Sequence, residues 1–267
     1  MDSFAGKVVV LTGASEGIGR ALALELARAR ARLVLSARNA PRLASLADEC
    51  RALGASALVV PADASRREDC EALADAALSH FGAIDMVVLN AGSTMWSRLD
   101  ELEDVDLLER LMRTNYLGAA WLTRRALPAL AAARGRIVAI SSLAGITGVP
   151  TRTGYAASKH AMSGFFDSLR IELADRGVSV TIIAPDFVRS EIHRRAIGPD
   201  GKPLGASPMI EAKIMSAETC ARIIVAAALR RRRLVITSLR GRAMRWLKLI
   251  APSFVDALAA RAIRRRS

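Results

Sequence analysis

The sequence predicts an α/β fold in which a doubly wound parallel sheet of about seven strands lies between two layers of helices. Short apolar runs, many of them β-branched, alternate with longer helical patterns, which is typical of parallel sheets with crossover helices. Strand runs such as Val178-Ser-Val-Thr-Ile-Ile-Ala184 are almost continuously apolar, as expected for strands buried on both faces. With 267 residues, 52% of them hydrophobic and 24% charged, the chain can bury a large core without disulfides or metals.

The predicted strands and helices alternate in order along the chain. Strands are expected near residues 7–12, 32–37, 56–61, 85–89, 135–141, 178–184 and 234–238. Helices are expected near residues 17–30, 40–53, 67–81, 103–131, 153–176 and 216–231. Pro128 is expected to kink or end the helix that contains it, because proline lacks a backbone N–H.

This alternation continues without a repeat or a linker, so we predict one domain over residues 1–238. The segment 186–215 interrupts the pattern, since it contains three glycines and three prolines and has no clear periodicity. Loops of this length are usually lids or binding loops, and we expect this one to select the substrate.

Residues 239–267 form a basic tail. Residues 230–267 carry +11 of the formal net charge of +13, so residues 1–229 are nearly neutral. Because these residues also contain no nucleic-acid-binding motif, we expect no nucleic-acid partner. One face of a predicted helix in the tail collects the apolar residues Leu239, Ala243, Trp246, Leu247 and Ile250. Arginines cover the opposite face, which favours peripheral contact with an anionic membrane. The alternatives are packing on the chain's own domain, a subunit interface, or binding of an acidic partner.

The cysteines and histidines indicate neither disulfides nor a metal site. Cys50, Cys70 and Cys220 are scattered and odd in number, and the three histidines do not have ligand spacing, so no metal is expected. The N-terminal residues do not resemble a signal peptide, and charges interrupt every long apolar stretch. We therefore expect a cytoplasmic protein that associates with membranes only peripherally.

The first predicted strand ends in a glycine-rich turn, Thr12-Gly-Ala-Ser-Glu-Gly-Ile-Gly-Arg20, which opens a helix. Glycines let the backbone turn tightly and approach a pyrophosphate, and the free N–H groups of the helix N-terminus bind phosphates. The turn therefore predicts a dinucleotide site with contacts from Gly13, Ser15, Gly17, Ile18 and Gly19.

Four further motifs follow in order: Asn90-Ala-Gly92, Asn115, Ser142 and Tyr155-Ala-Ala-Ser-Lys159. With the glycine spacing G-x-x-x-G-x-G, they make the chain resemble the short-chain dehydrogenase/reductase family, of the single-domain Tyr-x-x-x-Lys type, over residues 6–238. The resemblance implies a Rossmann fold, a nicotinamide cofactor and hydride transfer between the cofactor and a carbonyl or alcohol. It also implies a homodimer or homotetramer.

The cofactor preference depends on the end of the second strand. An acidic residue there would bind the ribose 2′-hydroxyl of NAD, whereas Arg38 can receive the 2′-phosphate, so we predict NADP(H). The alternative is that Arg38 is only a solvated loop residue. Glu16 favours NAD instead, because its negative charge could repel the 2′-phosphate of NADP. The resemblance implies that Asp63 contacts the adenine and that Asn90 contacts the adenine ribose. It also implies cofactor contacts at Gly92, Val188 and Ser190.

Tyr155 and Lys159 are four residues apart, so they share one face of a helix. A nearby cation lowers the pKa of a tyrosine toward working pH, which suits Tyr155 to general acid–base catalysis. Ser142 lies at the carboxyl end of a strand and is expected to hold the carbonyl oxygen beside Tyr155, with Ser141 as the alternative. The resemblance implies that Lys159 also binds the nicotinamide ribose and that Asn115 holds a water in a proton relay.

Three residues are candidates for substrate contact: Trp96, Asp186 and His193. Trp96 is alternatively a core side chain, and His193 a surface side chain. Asp186 replaces the glycine that is usual in the family, and its alternative role is to cap a turn.

These features predict an NADP(H)-dependent oxidoreductase that reduces an apolar ketone of the steroid, retinoid or lipid type, with Tyr155 as the general acid. The alternative substrate is a 3-oxoacyl thioester on an acidic carrier protein, which the basic tail would suit. A non-enzymatic alternative is a regulatory protein that senses NADP(H).

Overall fold

A computed structural model of the protein describes residues 3–209 and 214–264, and within these ranges seven strands form one parallel sheet. The strands are β1 (Val8–Thr12), β2 (Arg32–Ser36), β3 (Ser56–Val59), β4 (Met86–Leu89), β5 (Arg136–Ile140), β6 (Ser179–Ala184) and β7 (Leu234–Ile236). They lie in the order β3-β2-β1-β4-β5-β6-β7, which confirms the predicted doubly wound sheet.

Helices cover both faces of the sheet. The helices are α1 (Gly17–Arg28), α2 (Ala40–Ala52), α3 (Arg67–Phe81), α4 (Leu107–Met112), α5 (Gly118–Ala132), α6 (Thr153–Glu172), α7 (Ala217–Leu229), α8 (Leu239–Ile250) and α9 (Pro252–Arg264). Successive side chains of β1 point to opposite faces, so Val9 packs in the cluster with α1, α2 and α7, and Val10 packs in the cluster with α3, α5 and α6. The three-layer arrangement follows from this alternation.

One predicted helix differs from the structure. The continuous helix expected over 103–131 is wrong, because the chain forms α4, a π-helical turn at Arg113–Leu117, and then α5. Pro128 lies inside α5, which continues to Ala132, so the proline does not end the helix. Proline removes only one backbone hydrogen bond, and α5 is held by its packing against α3 and the sheet.

The predicted tail begins as a helix docked on the sheet. A Cβ on Gly241 would lie 2.7 Å from Leu143 Cδ2 and 2.8 Å from Ile236 Cγ2, so a larger residue would force these two side chains to shift. By contrast, Leu239 and Trp246 on the predicted apolar face are 79% and 65% exposed. Packing on the domain therefore accounts for the start of α8 but not for its apolar face. Among the described residues, no helix has the length and apolar character needed to cross a bilayer.

Candidate active site

A cavity of about 1400 Å³ lies at the carboxyl ends of the strands. The glycine-rich turn lines one end of it, and Tyr155 lines the other. The strand order reverses between β1 and β4, which is where open α/β sheets bind their ligands. All the predicted site residues line this cavity except Gly19 and Asn115, which are buried behind its wall.

The glycine-rich turn between β1 and α1 needs backbone that glycine adopts most easily. Gly13 and Gly17 have φ angles of +63° and +53°, in the left-handed region. A Cβ on Gly19 would lie 2.1 Å from the carbonyl oxygen of Gly13, so a larger residue would force the turn apart. Glu16 at the N-cap makes no side-chain hydrogen bond to the first turn of α1, which leaves the N–H groups there available to a phosphate. The turn therefore fits a pyrophosphate.

Asn90 fixes the turn against β4. Its Nδ2 donates to the carbonyl oxygens of Thr12 at 3.1 Å and Gly13 at 3.0 Å. The hydroxyl of Thr12 accepts from the backbone N–H groups of Asn90 and Ala91, each at 3.0 Å. The amide nitrogen of Asn90 thus positions the turn, a role in addition to the ribose contact that the family resemblance implies.

Arg38 and Asp63 both line the cavity, and they lie near enough for the charge of Arg38 to act on the Asp63 carboxyl. Arg38 is exposed, and Asp63 accepts hydrogen bonds from the backbone N–H and the hydroxyl of Ser65 at 2.9 and 2.8 Å. Partial burial acts to raise the pKa of Asp63, but the Ser65 hydrogen bonds and the charges of Arg38 and Arg66 outweigh it and lower that pKa. Asp63 is therefore an anion at neutral pH.

The Glu16 carboxylate forms ion pairs with two arginines. Arg42 of α2 donates to it at 2.9 Å, and Arg195 of the 186–215 segment donates to both of its oxygens at 2.8 and 2.6 Å. The negative charge next to Arg38 is thus balanced by two cations. The ion pair between Glu16 and Arg195 also connects the predicted lid to the glycine-rich turn.

Tyr155 and Lys159 lie buried on one face of α6, 8% and 4% exposed. The Ser142 hydroxyl lies near enough to Tyr155 to lower the pKa of its phenol. Lys159 Nζ is 5.9 Å from the centre of the Tyr155 ring and donates to a backbone carbonyl of β5 at 2.8 Å. The Ser141 hydroxyl lies 2.9 Å from that of Ser163 instead. The structure therefore brings Ser142 to Tyr155, and not Ser141.

Burial controls the pKa values of this pair. It lowers the pKa of Lys159 from 10.5 to about 8. It raises the pKa of Tyr155, and the nearby Ser142 hydroxyl and the charge of Arg152 oppose that rise. In this structure the cation that acts on the pKa of Tyr155 is thus Arg152, whereas the sequence pattern pointed to Lys159.

Asn115 lies on the π-helical turn between α4 and α5. Its Nδ2 donates to the carbonyl oxygen of Ser93 at 2.9 Å and to the hydroxyl of Ser158 at 2.8 Å, while its Oδ1 accepts from the N–H of Ser93 at 2.8 Å. The Ser158 hydroxyl donates to the carbonyl oxygen of Tyr155 at 2.8 Å. Asn115 therefore connects the loop after β4 with the helix that carries Tyr155, and π-helical turns are frequent at functional sites.

Arg152 is a site residue that the sequence analysis missed. Its side chain is buried, and its guanidinium carbon lies 4.3 Å from the ring centre of Trp96, 5.5 Å from that of Phe187 and 5.8 Å from that of Tyr155. Trp96 is half-buried and lines the cavity, so it forms part of this wall. The only sequence signal was an arginine three residues before Tyr155, and it was not conspicuous among 39 lysines and arginines.

The two substrate candidates in the predicted lid hold this segment in place. Asp186 accepts from the next backbone N–H at 3.0 Å, as a turn cap does, and it also binds the Ser238 hydroxyl at 2.8 Å and Arg240 at 2.9 Å. His193 is 6% exposed, and its Nε2 donates to the carbonyl oxygen of Val188 at 3.1 Å. The expectation of a surface histidine is wrong, because the segment folds back over the ring.

The sequence model of the short chain dehydrogenase family matches residues 7–198. The chain belongs to this family. It is 38% identical over 264 residues to an "11-beta-hydroxysteroid dehydrogenase A" of Sesamum indicum, with 96% of this chain and 75% of that protein covered. It is 36% identical over 256 residues to a "Dehydrogenase/reductase SDR family protein 7-like" of Anopheles gambiae, with 93% and 80% covered.

Two solved structures are also similar. A short chain dehydrogenase/reductase of Burkholderia phymatum in complex with NAD is 29% identical, with a TM-score of 0.86 over 95% of this chain and 96% of that chain. An alcohol dehydrogenase of Thermococcus sibiricus complexed with 5-hydroxy-NADP is 27% identical, with a TM-score of 0.74 over 86% and 95%. As a short chain dehydrogenase, the protein is an oxidoreductase that binds a nicotinamide cofactor and acts on hydroxyl or carbonyl groups.

Proposed function

We propose that the protein uses NADPH to reduce an apolar ketone, with Tyr155 as the general acid. The observation that carries this proposal is that Ser142, Tyr155 and Lys159 line one cavity, with Tyr155 and Lys159 buried on the same face of α6. When bound, the cofactor supplies a hydride to the carbonyl carbon. The Tyr155 hydroxyl gives its proton to the carbonyl oxygen, so one C–H and one O–H bond replace the C=O π bond.

The neighbouring residues act on the same oxygen or on Tyr155. The Ser142 hydroxyl donates a hydrogen bond to the carbonyl oxygen. Burial raises the pKa of Tyr155, so the phenol is protonated at neutral pH and has a proton to give to the carbonyl oxygen. Lys159 binds the nicotinamide ribose, and Asn115 positions α6 and the water through which Tyr155 regains its proton.

We propose NADP(H) as the preferred cofactor. Arg38 lines the cavity, and no acidic residue follows it in the turn after β2. Glu16 would repel a 2′-phosphate, but its ion pairs with Arg42 and Arg195 offset its negative charge. The proposed cofactor contacts are Gly13, Ser15, Gly17, Ile18, Gly19, Arg38, Asp63, Asn90, Gly92, Tyr155, Lys159, Val188 and Ser190.

Steady-state kinetics with both cofactors test this preference. Arg38→Ala should lower kcat/KM for NADPH about tenfold or more, because it removes a charged hydrogen bond, and should change the value for NADH little. Arg67→Ala is the matched control, since Arg67 pairs with Glu71 on α3 and does not line the cavity. Equal efficiency of the wild type with NADH and NADPH would contradict the proposal.

The proposed substrate is a ketone with an apolar body, of the steroid, retinoid or lipid type. Apolar side chains such as Leu143, Ile146 and Val149 line the cavity on the side of Tyr155, which we call the substrate end. The relative from Sesamum indicum is named as a hydroxysteroid dehydrogenase. A 3-oxoacyl thioester is the alternative, and a panel that contains both classes separates them. A regulatory protein that senses NADP(H) is the non-enzymatic alternative, and cofactor binding without any turnover would favour it.

Two tyrosine variants test the catalytic proposal. NADPH oxidation is followed with apolar ketones, aldehydes and 3-oxoacyl thioesters. Tyr155→Phe should abolish turnover but weaken cofactor binding only slightly, because it removes the proton donor and only one hydroxyl from the many proposed cofactor contacts. Tyr116→Phe is the matched control, since Tyr116 is the only other tyrosine in the sequence and packs its ring on Phe165, 5.7 Å away. Turnover by Tyr155→Phe at the wild-type rate would refute the assignment.

We also propose a membrane-binding role for residues 239–267, adjoining an oxidoreductase domain over residues 1–238 whose lid is 186–215. Trp246, Leu249 and other apolar side chains of α8 and α9 are exposed next to arginines. Met244 and Leu258 of the same helices line the cavity, so an apolar substrate could enter from the bilayer.

Vesicle co-sedimentation tests the tail. Trp246→Glu combined with Leu249→Glu should abolish binding to anionic vesicles, because the charges prevent insertion of the apolar face. Ile171→Glu is the control, since Ile171 is equally apolar and 74% exposed on α6. Unchanged binding by the double variant would refute a role of this face.

We further propose that the protein is cytoplasmic and forms a homodimer or homotetramer. Light scattering measures its molar mass in solution and so tests the oligomeric state.

A further inference from the structure

The substrate end of the cavity contains a buried cation. The Arg152 side chain lines the cavity, yet the residue is only 5% exposed. It lies between aromatic rings from three segments: Trp96 after β4, Tyr155 on α6 and Phe187 in the lid. Their ring centres are 4.3 to 5.8 Å from the guanidinium carbon.

No protein group neutralises this charge in the part of the chain that the structure describes. Most arginines of the site are paired, such as Arg42 and Arg195 with Glu16, whereas no carboxylate lies within ion-pair distance of Arg152. Its Nη2 is fully buried and has no hydrogen-bond partner among the described residues. A buried guanidinium without an acceptor is unfavourable, and cation–π contacts with the three rings offset only part of that cost.

The geometry favours an acceptor that comes with the substrate. Aromatic rings interact with the faces of a guanidinium, and its N–H groups lie in its plane, where a carboxylate can accept two of them. The cavity is the open space beside Arg152, and Tyr155 lines the same space. A ligand that reaches Arg152 is therefore close enough to present a carbonyl to Tyr155.

We propose that Arg152 binds a carboxylate of the substrate, so that among ketones with an apolar body the protein prefers oxo acids to neutral ketones such as steroids. This proposal rests on the proposed reduction of a carbonyl at Tyr155 and names the substrate class more closely. The substrate has an apolar body, because the walls around this end include Leu143, Ile146, Val149, Ile197, Met244 and Leu258. Its carbonyl and its carboxylate are a few bonds apart.

Matched pairs of ketones test the proposal. NADPH oxidation is measured with benzoylformate, benzoylpropionate and benzoylbutyrate, each beside its methyl ester, which differs only in the charge. For at least one pair, kcat/KM of the acid should exceed that of the ester about 10- to 100-fold, as for a hydrogen bond to a charged group. Arg152→Met should reduce this ratio to near one, and Arg152→Lys should give an intermediate ratio, because lysine keeps the charge but loses the planar fork.

Arg113→Met is the control for a general loss of positive charge. Arg113 also lines the cavity, but it is half-exposed and paired with Glu109 at 2.8 Å, so the acid-to-ester ratio should stay at the wild-type value. Esters that are reduced as well as their acids by the wild type, or a ratio that survives Arg152→Met, would overturn the proposal.

A binding measurement separates this proposal from the proposed reaction. Phenylbutyrate, which cannot be reduced, and its methyl ester are titrated into the NADP(H)-loaded protein and followed by tryptophan fluorescence, since Trp96 packs on Arg152. The acid should bind at least tenfold more tightly than the ester, and Arg152→Met should remove the difference. Selective binding without any turnover would uphold the carboxylate site and reject the reductase, whereas Tyr155-dependent turnover without selectivity would do the reverse.

Discussion

Lys159→Met should stabilise the cofactor-free protein at neutral pH. Lys159 is 4% exposed, and burial lowers its pKa from 10.5 to about 8. This difference corresponds to about 3 kcal/mol of unfavourable free energy for holding the charged form in the folded state. The variant avoids that cost but loses the hydrogen bond to the carbonyl oxygen of Ile140, which contributes about 1 kcal/mol. The expected net gain in the free energy of unfolding at pH 7 is about 2 kcal/mol.

The sign of this effect depends on pH. Below pH 8 the lysine is charged in both states, so the folded wild type bears the full cost of burial. Between pH 8 and 10.5 the folded protein has lost this proton and the unfolded chain has not, so the wild type becomes more stable as pH rises. The advantage of Lys159→Met should therefore shrink above pH 8 and vanish near pH 10.

Urea unfolding at pH 7 and at pH 10 measures the difference in the free energy of unfolding between Lys159→Met and the wild type. The contributions of the other titrating groups cancel in this difference. Lys202→Met is the control, because Lys202 is exposed, and its difference should be near zero at both values. A variant that is less stable than the wild type at pH 7, or a difference that does not change with pH, would contradict an unfavourable buried charge on Lys159. Such a result would mean that the Lys159 charge is not desolvated in the folded protein.

Three further variants test the framework of the site. Gly19→Ala should destabilise the protein by about 1–3 kcal/mol and abolish cofactor binding, since the new methyl would meet the carbonyl oxygen of Gly13 at 2.1 Å; unchanged binding in fluorescence titration would contradict this. Asn115→Ala leaves several buried groups without partners and should cost about 2–4 kcal/mol in thermal or urea unfolding, and a loss below 1 kcal/mol would show that these bonds are not important. Asp186→Asn weakens the ion pair with Arg240 and should speed hydrogen exchange in α8, whereas equal exchange would show that the tail is held by packing alone.

Features that depend on short stretches of sequence were predictable. The strands follow from continuous apolar runs, and the turn at Gly13 follows from a glycine spacing that needs no distant partner. Ser142 and Tyr155 are 13 residues apart, but the end of a strand and the start of a helix place both at the same edge of the sheet.

Features made by distant side chains were not predictable. The π-helical turn at Asn115 is fixed by hydrogen bonds to Ser93 and Ser158, which are 22 and 43 residues away. The pair of Glu16 and Arg195 spans 179 residues, and no local pattern marks it. Arg152 acquires its environment only when two distant segments, which carry Trp96 and Phe187, fold around the start of α6, so its burial could not be deduced from an isolated arginine.

Deuterium transfer shows directly whether the protein moves a hydride from NADPH to a carbonyl carbon. NADPH that carries deuterium at the transferable position of the nicotinamide is incubated with the protein and the best ketone of the panel, and the alcohol is analysed by mass spectrometry. The proposed reaction predicts one deuterium on the carbinol carbon with the wild type and with Tyr116→Phe, and no alcohol with Tyr155→Phe. Alcohol without deuterium, or the same labelled product from Tyr155→Phe, would contradict hydride transfer to a carbonyl that Tyr155 protonates.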